Sequence, residues 1–243
     1  MTFETSYISR TGGRNVNQDS CDYVSNSTEG CWVVADGLGG HKGGEIASET
    51  ATKAILETYD NTGEFPNQTL IQGLENAHGD IALKQEQDPE LSTMQTTVVV
   101  LQIAGTEALW AHIGDTRLYY FSAGEIHFQT EDHSVPQLMV TAGDISADEI
   151  RSHEDRNKLL RSIGKGDKIK PTMPEFPRHV AAEDVFLLCT DGFWEYVTET
   201  EMEVDLTKST SPVDWLKLME KRVLSKVSGT YDNYSALAVF VNS

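Results

Sequence analysis

The sequence predicts an α+β fold in which helices cover antiparallel sheets. Strand-like runs and helical segments occur in blocks, which disfavours a parallel, doubly wound sheet because such a sheet alternates the two. Short Gly-containing connections at 104–106 and 122–124 join neighbouring apolar runs, as in antiparallel hairpins. No internal repeat or low-complexity linker divides the 243 residues, so we expect a single domain over residues 1–243.

The strand predictions rest on clusters of apolar and β-branched residues. They fall at Cys31–Ala35, Thr96–Ile103, Ala108–Ile113, Arg117–Phe121, Val185–Cys189 and Ser235–Val241. The two hairpin connections predict one continuous meander over residues 96–129.

Apolar stripes with helical period predict three helices, over Ile46–Ile55, about Gln68–Gln87, and Leu216–Val227. The third has clear start signals, since Ser211 can cap the helix and Pro212 suits its first turn. Residues 143–177 are rich in charge, Gly and Pro, which predicts a surface excursion with a short helical candidate near Asp148–Ser152.

The chain is strongly acidic, with 19 basic and 38 acidic residues and a formal net charge of −19. This charge repels phosphate backbones and anionic lipid surfaces, so we expect neither nucleic acid nor membranes as partners. No apolar run has the length of a membrane span or a signal peptide, which predicts a cytoplasmic location. Cys21, Cys31 and Cys189 lack zinc or redox spacing and are predicted to be buried, reduced thiols.

Four aspartates lie at the ends of predicted strands, and this is the most informative pattern. They are Asp36, Asp115, Asp191 and Asp232. Clustered carboxylates repel one another unless a cation lies among them, and oxygen ligands favour Mg²⁺ or Mn²⁺ over zinc. The pattern therefore predicts a two-metal site, although a single Asp-Gly is more often only a turn.

The sequence lacks the residue spacing of two other motifs, the phosphate-binding glycine loop and the calcium-binding loop. The glycines of 37–44 include no Gly-Lys-Ser/Thr, and Lys42 stands where a dinucleotide fingerprint requires Gly. Acids at the alternating positions of a calcium loop are also absent from the sequence.

Six ordered motifs resemble the metal-dependent protein serine/threonine phosphatases of type 2C, the PPM family, in their small bacterial form. They are Arg14-x-x-Asn17-Gln18-Asp19, Val34-Ala35-Asp36-Gly37-Leu38-Gly39-Gly40-His41, Gly114-Asp115-Thr116-Arg117, Asp132-His133-Ser134, Cys189-Thr190-Asp191-Gly192 and Asp232-Asn233. The joint occurrence of six motifs, from about residue 6 to the end of the chain, is far more specific than any one of them.

The resemblance implies a four-layer α-β-β-α sandwich of two antiparallel sheets flanked by helix pairs, with a Mn²⁺ or Mg²⁺ centre at one end. Asp36 matches the acid that bridges two tightly bound metals, and the Gly37 carbonyl completes one site. Asp191 and Asp232 match ligands of the other metal. Asp19 matches an acid that holds metal-bound waters. Asp115 matches a ligand, with Asp191, of a third and weaker metal.

The implied reaction is hydrolysis of phosphoserine and phosphothreonine on proteins by a hydroxide that bridges the metals. Arg14 matches the phosphate-binding residue, and its planar fork suits two phosphate oxygens. The leaving oxygen needs a proton, which either His41 or a metal-bound water supplies. Leu38 replaces the His of the eukaryotic pattern, and Gln18 replaces a Glu found in many eukaryotic relatives.

Residues 143–170 correspond to the mobile flap of bacterial members. The basic residues of this segment are Arg151, Arg156, Lys158, Arg161 and Lys165. They predict either contacts with a phosphoprotein or an ordinary solvated face.

The expected partners are phosphorylated proteins, including a Ser/Thr protein kinase and its substrates, and the expected state is a monomer. The alternative is a catalytically silent, phosphatase-like binding or regulatory domain. The presence of Asp36, Asp191 and Asp232 disfavours that alternative, because loss of metal acids would be its signature.

Overall fold

The computed structural model describes residues 1–40, 43–62 and 67–243, and their strands form two five-stranded antiparallel sheets. In chain order the strands are β1 Thr2–Arg10, β2 Asp19–Ser25, β3 Glu29–Leu38, β4 Gln95–Ala104, β5 Glu107–Ile113, β6 Arg117–Ser122, β7 Glu125–Gln129, β8 Arg178–His179, β9 Val185–Cys189 and β10 Tyr234–Asn242. Sheet A has the order β1-β10-β9-β6-β7, and sheet B has the order β2-β3-β4-β5-β8.

Helices cover the outer face of each sheet. They are α1 Gly43–Thr62, α2 Asn67–Gln87, α3 Val135–Ala142, α4 Asp191–Trp194, α5 Glu199–Leu206 and α6 Pro212–Lys226, with 3₁₀ turns at Pro89–Leu91 and Ala147–Ser152. The Ser211 side chain caps α6 by accepting from the Asp214 N–H, and Pro212 opens the helix, as predicted. Within the described residues, no helix is both long and apolar enough to cross a bilayer.

Three apolar clusters correspond to the three interfaces between the four layers. The middle cluster lies between the sheets and includes Trp32, Trp110 and Phe186. The α1–α2 layer packs small residues such as Ala47 and Ala51 against sheet B. The α5–α6 layer packs large residues such as Trp215 against sheet A. The predicted α+β, four-layer sandwich is confirmed.

The predicted meander over 96–129 is wrong at its centre. β4 pairs with β5 and β6 pairs with β7, but β5 and β6 lie in different sheets. The chain crosses between the sheets at Gly114, whose φ of 107° suits glycine and where a Cβ would overlap the Thr97 side chain. The crossing delivers Asp115 to the end of the sandwich.

The sequence analysis missed β1 and β2. Both are edge strands, and their residues are mostly exposed or half-buried. An edge strand with one solvent-exposed face carries few apolar residues, so the composition of these segments did not indicate strands. The cysteine prediction is also only partly right, because Cys31 and Cys189 are buried but Cys21 is half-buried.

Candidate metal and phosphate site

A cleft of about 320 Å³ opens at one end of the sandwich, where the loops after several strands meet. It brings together most of the residues singled out from the sequence. The lining includes Arg14, Gln18, Asp36, Gly37, Leu38, Asp115, Asn157, Leu159, Asp191, Asp232 and Asn233.

Asp36 and Asp19 face each other across adjacent strands of sheet B. They are direct partners in the β2–β3 register, so their backbones lie side by side at the end of the sheet. The Thr96 hydroxyl on β4 donates to the Asp36 carbonyl at 2.7 Å, which fixes the end of β3. The Thr190 hydroxyl donates to Asp19 Oδ2 at 3.0 Å and so ties Asp19 to the other sheet.

Asp115 and Asp191 also line the cleft: Asp115 lies in the connection from β5 of sheet B to β6 of sheet A, and Asp191 follows β9 of sheet A. Asp115 follows the crossing between the sheets and is 4% exposed. Asp191 is the first residue of α4, directly after Thr190. Asp191 is close enough to Asp36 for its charge to help raise the pKa of Asp36. Carboxylates from both sheets therefore meet in one cleft.

Asp232 and Arg14 form the outer rim of the cleft. Arg14 Nη2 lies 2.8 Å from Asp232 Oδ2, and both side chains are about half exposed. Asn233 holds the Arg14 loop in place, because its Nδ2 donates to the Thr11 and Val16 carbonyls at 2.7 and 2.9 Å. Its Oδ1 accepts from the Gln18 N–H at 2.9 Å.

Gly37 lies where three pieces of backbone converge. A Cβ at this position would overlap the carbonyl oxygen of Gly44, at the start of α1, and would also meet that of Gln18. The Gly37 N–H donates to the Gln18 carbonyl at 3.0 Å, and the Ser48 hydroxyl donates to the same oxygen at 2.6 Å. Only glycine permits this close approach.

The carboxylates raise one another's pKa values. Burial and the charge of Asp191 raise the pKa of Asp36 well above its usual range. Burial and Asp191 do the same for Asp115. Burial raises the pKa of Asp19 to about 7, and burial and Asp232 raise that of Asp191 to about 6. Such shifts mark a cluster that lacks sufficient compensating positive charge.

Glu195 extends this cluster and was missed in the sequence. It lies one helical turn after Asp191, and burial together with repulsion from Asp191 raises its pKa to about 7. Arg156 Nε donates to its Oε1 at 2.9 Å. The i, i+4 spacing of the two acids was the available signal, but recognising it required knowing that a helix begins at Asp191.

An ion-pair layer supports the cleft from inside the sandwich, and we define it as Arg117, Asp132, Tyr119, Glu199 and Arg151. Arg117 donates through Nε and Nη2 to the two oxygens of Asp132, both at 2.8 Å. Both side chains are almost fully buried. Arg151 donates to both oxygens of Glu199 at 2.6 and 2.7 Å, and Glu199 accepts from the Tyr119 hydroxyl at 3.2 Å.

Trp194 connects the ion-pair layer to the cleft. The Arg117 guanidinium lies 3.5 Å from the centre of the Trp194 ring, and the indole N–H donates to the Asp115 carbonyl at 2.9 Å. The sequence analysis did not single out this residue, because a buried aromatic three positions after a candidate ligand is indistinguishable from ordinary core.

Several basic residues of 143–170 make internal contacts. Arg151 pairs with Glu199, Arg156 with Glu195, and Lys158 with Asp155. Arg161 Nη1 donates to the Lys170 carbonyl at 3.2 Å. Asn157 and Leu159, from the same segment, line the cleft. The side chains that reach the cleft from this segment are therefore neutral ones.

The donor set fits hard divalent cations. Its side chains are oxygen donors, and Asp19 Oδ1 is buried without a hydrogen-bond partner. Within residues 1–40, 43–62 and 67–243, no three His, Cys, Asp or Glu side chains already surround one point at metal-ligand spacing. Four of the carboxylates, those of Asp36, Asp115, Asp191 and Asp232, instead border the cleft of about 320 Å³. His41, the candidate proton donor, lies outside the described residues.

Comparison with known proteins identifies the family. A family model described as protein phosphatase 2C matches residues 9–227. The serine/threonine phosphatase stp of Listeria welshimeri is 32% identical over 202 residues, which cover 81% of this chain and 79% of that protein. Protein phosphatase PhpP of Streptococcus pneumoniae is 30% identical over 234 residues, which cover 94% and 93% of the two chains.

Solved structures agree with this assignment. The crystal structure of the serine/threonine phosphatase PstP/Ppp of Mycobacterium tuberculosis superposes with a TM-score of 0.88 at 27% identity, covering both chains fully. The catalytic domain of PstP in complex with two manganese ions gives a TM-score of 0.82, also at 27% identity and full coverage. The chain therefore belongs to the protein phosphatase 2C family, as one of its small bacterial serine/threonine phosphatases.

Proposed function

We propose that this chain hydrolyses phosphoserine and phosphothreonine on proteins, using divalent cations held by its aspartates. The observation that carries the proposal is that four aspartates line one cleft with Arg14 at its rim: Asp36, Asp115, Asp191 and Asp232. Asp19 lies beside Asp36 on the neighbouring strand. Three features of the cleft suit a phosphate. Bound cations would offset the charge of the carboxylates, the Arg14 guanidinium would bind the phosphate oxygens, and the cleft is open to solvent. The phosphatase names of the relatives support an active enzyme and give no support to the silent binding domain.

The proposed metal ligands serve two principal cations and a weaker third one. Asp36 would hold both principal cations, the Gly37 carbonyl would complete the site of one of them, and Asp191 and Asp232 would hold the other. Asp115 joins Asp191 in holding a weaker third cation, and Asp19 orients waters. When bound, Mn²⁺ or Mg²⁺ supplies positive charge and an activated water for in-line attack on phosphorus.

Arg14 is proposed to orient the substrate phosphate. Its guanidinium lies 2.8 Å from Asp232, so a phosphate held by Arg14 lies directly beside the carboxylate cluster. Asn233 fixes the backbone of the Arg14 loop. Because the loop is already ordered, less conformational entropy is lost when Arg14 binds a phosphate. His41 remains a candidate proton donor to the leaving oxygen, alongside a metal-bound water.

Residues 143–170 are proposed to act as the flap beside the cleft, since Asn157 and Leu159 line it. We further propose phosphoproteins of a Ser/Thr protein kinase pathway as substrates, a monomeric state and a cytoplasmic location. The relatives named as serine/threonine phosphatases support phosphoprotein substrates. Gel filtration with light scattering tests the monomer, and a dimer mass would contradict it.

Phosphate release from a phosphothreonine peptide tests the proposed function. Metal-stripped protein should be inactive, millimolar Mn²⁺ should restore turnover, and Asp191→Ala should abolish that turnover. Asp22→Ala is the matched control, because Asp22 lies on β2 near Asp19 but is exposed. A well-folded protein with no turnover in Mn²⁺ or Mg²⁺ would contradict the proposal and favour the binding domain.

A further inference from the structure

Four lysines of residues 158–170, here called the lysine strip, carry charge that the proposed reaction does not use. They are Lys158, Lys165, Lys168 and Lys170, and all of them are exposed. The stretch 156–170 holds six basic residues and one acidic residue, in a chain of 19 basic and 38 acidic residues. Positive charge is therefore concentrated in one segment of a protein that is negative as a whole.

Most of the charge of the lysine strip is not neutralised by neighbouring acids. Among the ion pairs between described residues, the strip contributes only Lys158 Nζ to Asp155 Oδ1, at 2.7 Å. Both side chains of that pair are partly exposed, so solvent screens it and the Lys158 charge stays available to another group. Arg156, by contrast, is engaged with Glu195.

The first lysine of the strip borders the cleft directly. Lys158 stands between Asn157 and Leu159, which both line the cleft. The Lys158 side chain is itself 66% exposed and is not part of the lining. Neutral side chains of this segment therefore line the cleft, and a positive charge lies beside them at the surface.

The next lysines follow the point where the segment joins sheet B. Ile163 and Thr96 exchange two backbone hydrogen bonds of 2.8 and 3.1 Å, and Thr96 is the register partner of Gly37 in the cleft wall. Because neighbouring strands are about 4.8 Å apart, the backbone of Ile163 lies about 10 Å from that of Gly37. The segment therefore continues sheet B at the end that carries the cleft.

Lys165 adjoins the cleft on this side. Gly164 and the cleft-lining Gly39 flank the same residue, Met94, since a Cβ on Gly164 would lie 2.9 Å from the Met94 carbonyl oxygen and one on Gly39 would lie 3.1 Å from its Cα. Lys165 follows Gly164 directly and is exposed. The strip thus runs from Asn157 past the Gly39 side of the cleft.

The other side of the cleft offers no comparable excess of positive charge. Arg14 precedes β2 and the strip joins β4, so β3 lies between them. Arg14 lies 2.8 Å from Asp232, and Arg10, at the end of β1, lies 2.8 Å from Glu220. Each of these arginines is offset by an acid, so the free positive charge beside the cleft lies on the side of the lysine strip.

We propose that the lysine strip binds acidic residues that flank the phosphorylated residue of a protein substrate on one side. The inference rests on the proposed phosphatase function and names the class of phosphoprotein that the enzyme prefers. An extended chain advances about 3.3 Å per residue, so acids about two to five positions from the phosphorylated residue pass over the strip when the phosphate is in the cleft. The rest of this acidic chain repels such a substrate, so the strip also sets the direction in which it binds.

Three phosphothreonine peptides of equal length test the proposal. One carries three Glu residues on the N-terminal side of the phosphothreonine, one carries them on the C-terminal side, and the reference carries Gln at all of these positions. With Mn²⁺-loaded protein, one of the two acidic peptides should exceed the reference in kcat/KM by about fivefold, and raising NaCl from about 50 to about 300 mM should reduce the ratio below about twofold. Equal kcat/KM for all three peptides, an equal gain for both acidic peptides, or a ratio that does not respond to salt would overturn the proposal.

A charge-reversal variant locates the effect. Lys165→Glu combined with Lys168→Glu should abolish the preference for the acidic peptide. The matched control is Lys217→Glu combined with Lys221→Glu on α6, where both lysines are exposed and the change in net charge is the same. The control should keep the wild-type ratio, and loss of the preference in both variants would assign it to net charge and contradict the strip.

Hydrolysis of p-nitrophenyl phosphate, which has no flanking residues, separates this inference from the proposed function. Turnover of that compound without any preference among the peptides refutes the lysine strip alone. No turnover of any substrate refutes the proposed function, and the affinities of the three peptides, measured by fluorescence anisotropy, then test the strip. Equal affinities would contradict it.

Discussion

The carboxylate-lined cleft and the ion-pair layer both contain aspartates, but the aspartates of the two regions have opposite electrostatic surroundings. In the layer, Asp132 is fully buried and receives two hydrogen bonds of 2.8 Å from Arg117. In the cleft, Asp115 is equally buried, and burial together with Asp191 raises its pKa. The two aspartates are only 17 residues apart in sequence and sit on opposite sides of Arg117 and Trp194.

The difference separates structural from functional carboxylates. A buried carboxylate is compatible with a stable core when a buried cation is paired with it, and removing that cation destabilises the core. A cluster of carboxylates without enough cations destabilises the protein, and the fold retains it where a bound ion is needed. The following predictions test this division, from the largest expected effect to the smallest.

The first prediction concerns Asp36, the centre of the unpaired cluster. Asp36→Asn should lower kcat/KM with Mn²⁺ about a thousandfold or more, equivalent to about 4 kcal/mol of transition-state stabilisation. The same variant should not lower the thermal stability of metal-free protein at pH 8, because it removes a repelled charge. Phosphate-release kinetics and a thermal melt measure the two effects. A loss of both activity and stability would place Asp36 with the structural carboxylates.

The second prediction concerns Arg117, the cation of the layer. Arg117→Leu leaves the Asp132 carboxylate buried and unpaired, and it should lower the free energy of unfolding by about 3–5 kcal/mol. Urea denaturation measures this change. The double variant Arg117→Leu, Asp132→Leu should recover part of the loss. If the single and double variants are equally destabilised, the pair is not the unit that stabilises this layer.

The third prediction concerns Arg14, the only arginine among the cleft-lining residues described. Arg14→Lys keeps the charge but loses the planar fork, and it should lower kcat/KM about ten- to a hundredfold. Stability should change by less than about 1 kcal/mol, because the Arg14–Asp232 pair is about half exposed. Steady-state kinetics on a phosphothreonine peptide decide the question. Full activity in Arg14→Lys would show that charge alone suffices.

The fourth prediction is the pH dependence of metal-free protein. Burial and neighbouring aspartates raise the pKa of Asp19 to about 7 and that of Asp191 to about 6, well above the usual value for an aspartate. The folded state thus holds protons that the unfolded state has lost, so stability is greatest below about pH 4 to 5 for these groups and falls as pH rises to about 7. Melts at pH 5.5 and pH 8 should differ by a few degrees, roughly 1–2 kcal/mol, with the lower pH more stable.

Metal addition provides the control for the pH effect. Mn²⁺ should raise the melting temperature at pH 8 more than at pH 5.5, because ligands must be deprotonated to bind. Asp36→Asn should reduce both the pH effect and the Mn²⁺ effect. An equal response to Mn²⁺ at the two pH values would contradict the assignment of the cluster as a cation site.

Local sequence patterns predicted the central strands and the three long helices. The six predicted strands and the α1, α2 and α6 helices are all present, because continuous apolar runs and helical stripes report burial directly. The edge strands β1 and β2 and the short helices α3, α4 and α5 were not predicted. Their stability depends on neighbours, so their own composition carries little information.

Some residues of the candidate site were also predictable from the sequence, and others were not. Their places at the ends of predicted strands singled out Asp36, Asp115, Asp191 and Asp232, and the resemblance to the PPM family singled out Arg14. The partners that hold them were not visible, since Asn233 reaches the Arg14 loop across more than 200 residues of chain. Trp194 and Glu195 became recognisable only once a helix was seen to begin at Asp191.

The amino-acid sequence by itself determined the family, the covered sheets and the identity of the clustered acids, because periodicity and motif order are local properties of the chain. Tertiary structure alone decided that β5 and β6 belong to different sheets, that Arg117 neutralises Asp132 while Asp115 is left to the cleft, and that the lysine strip lies along one side of the cleft. These features depend on distances between residues remote in the chain. Charge compensation and cavity shape arise from such distances, and one-dimensional spacing does not encode them.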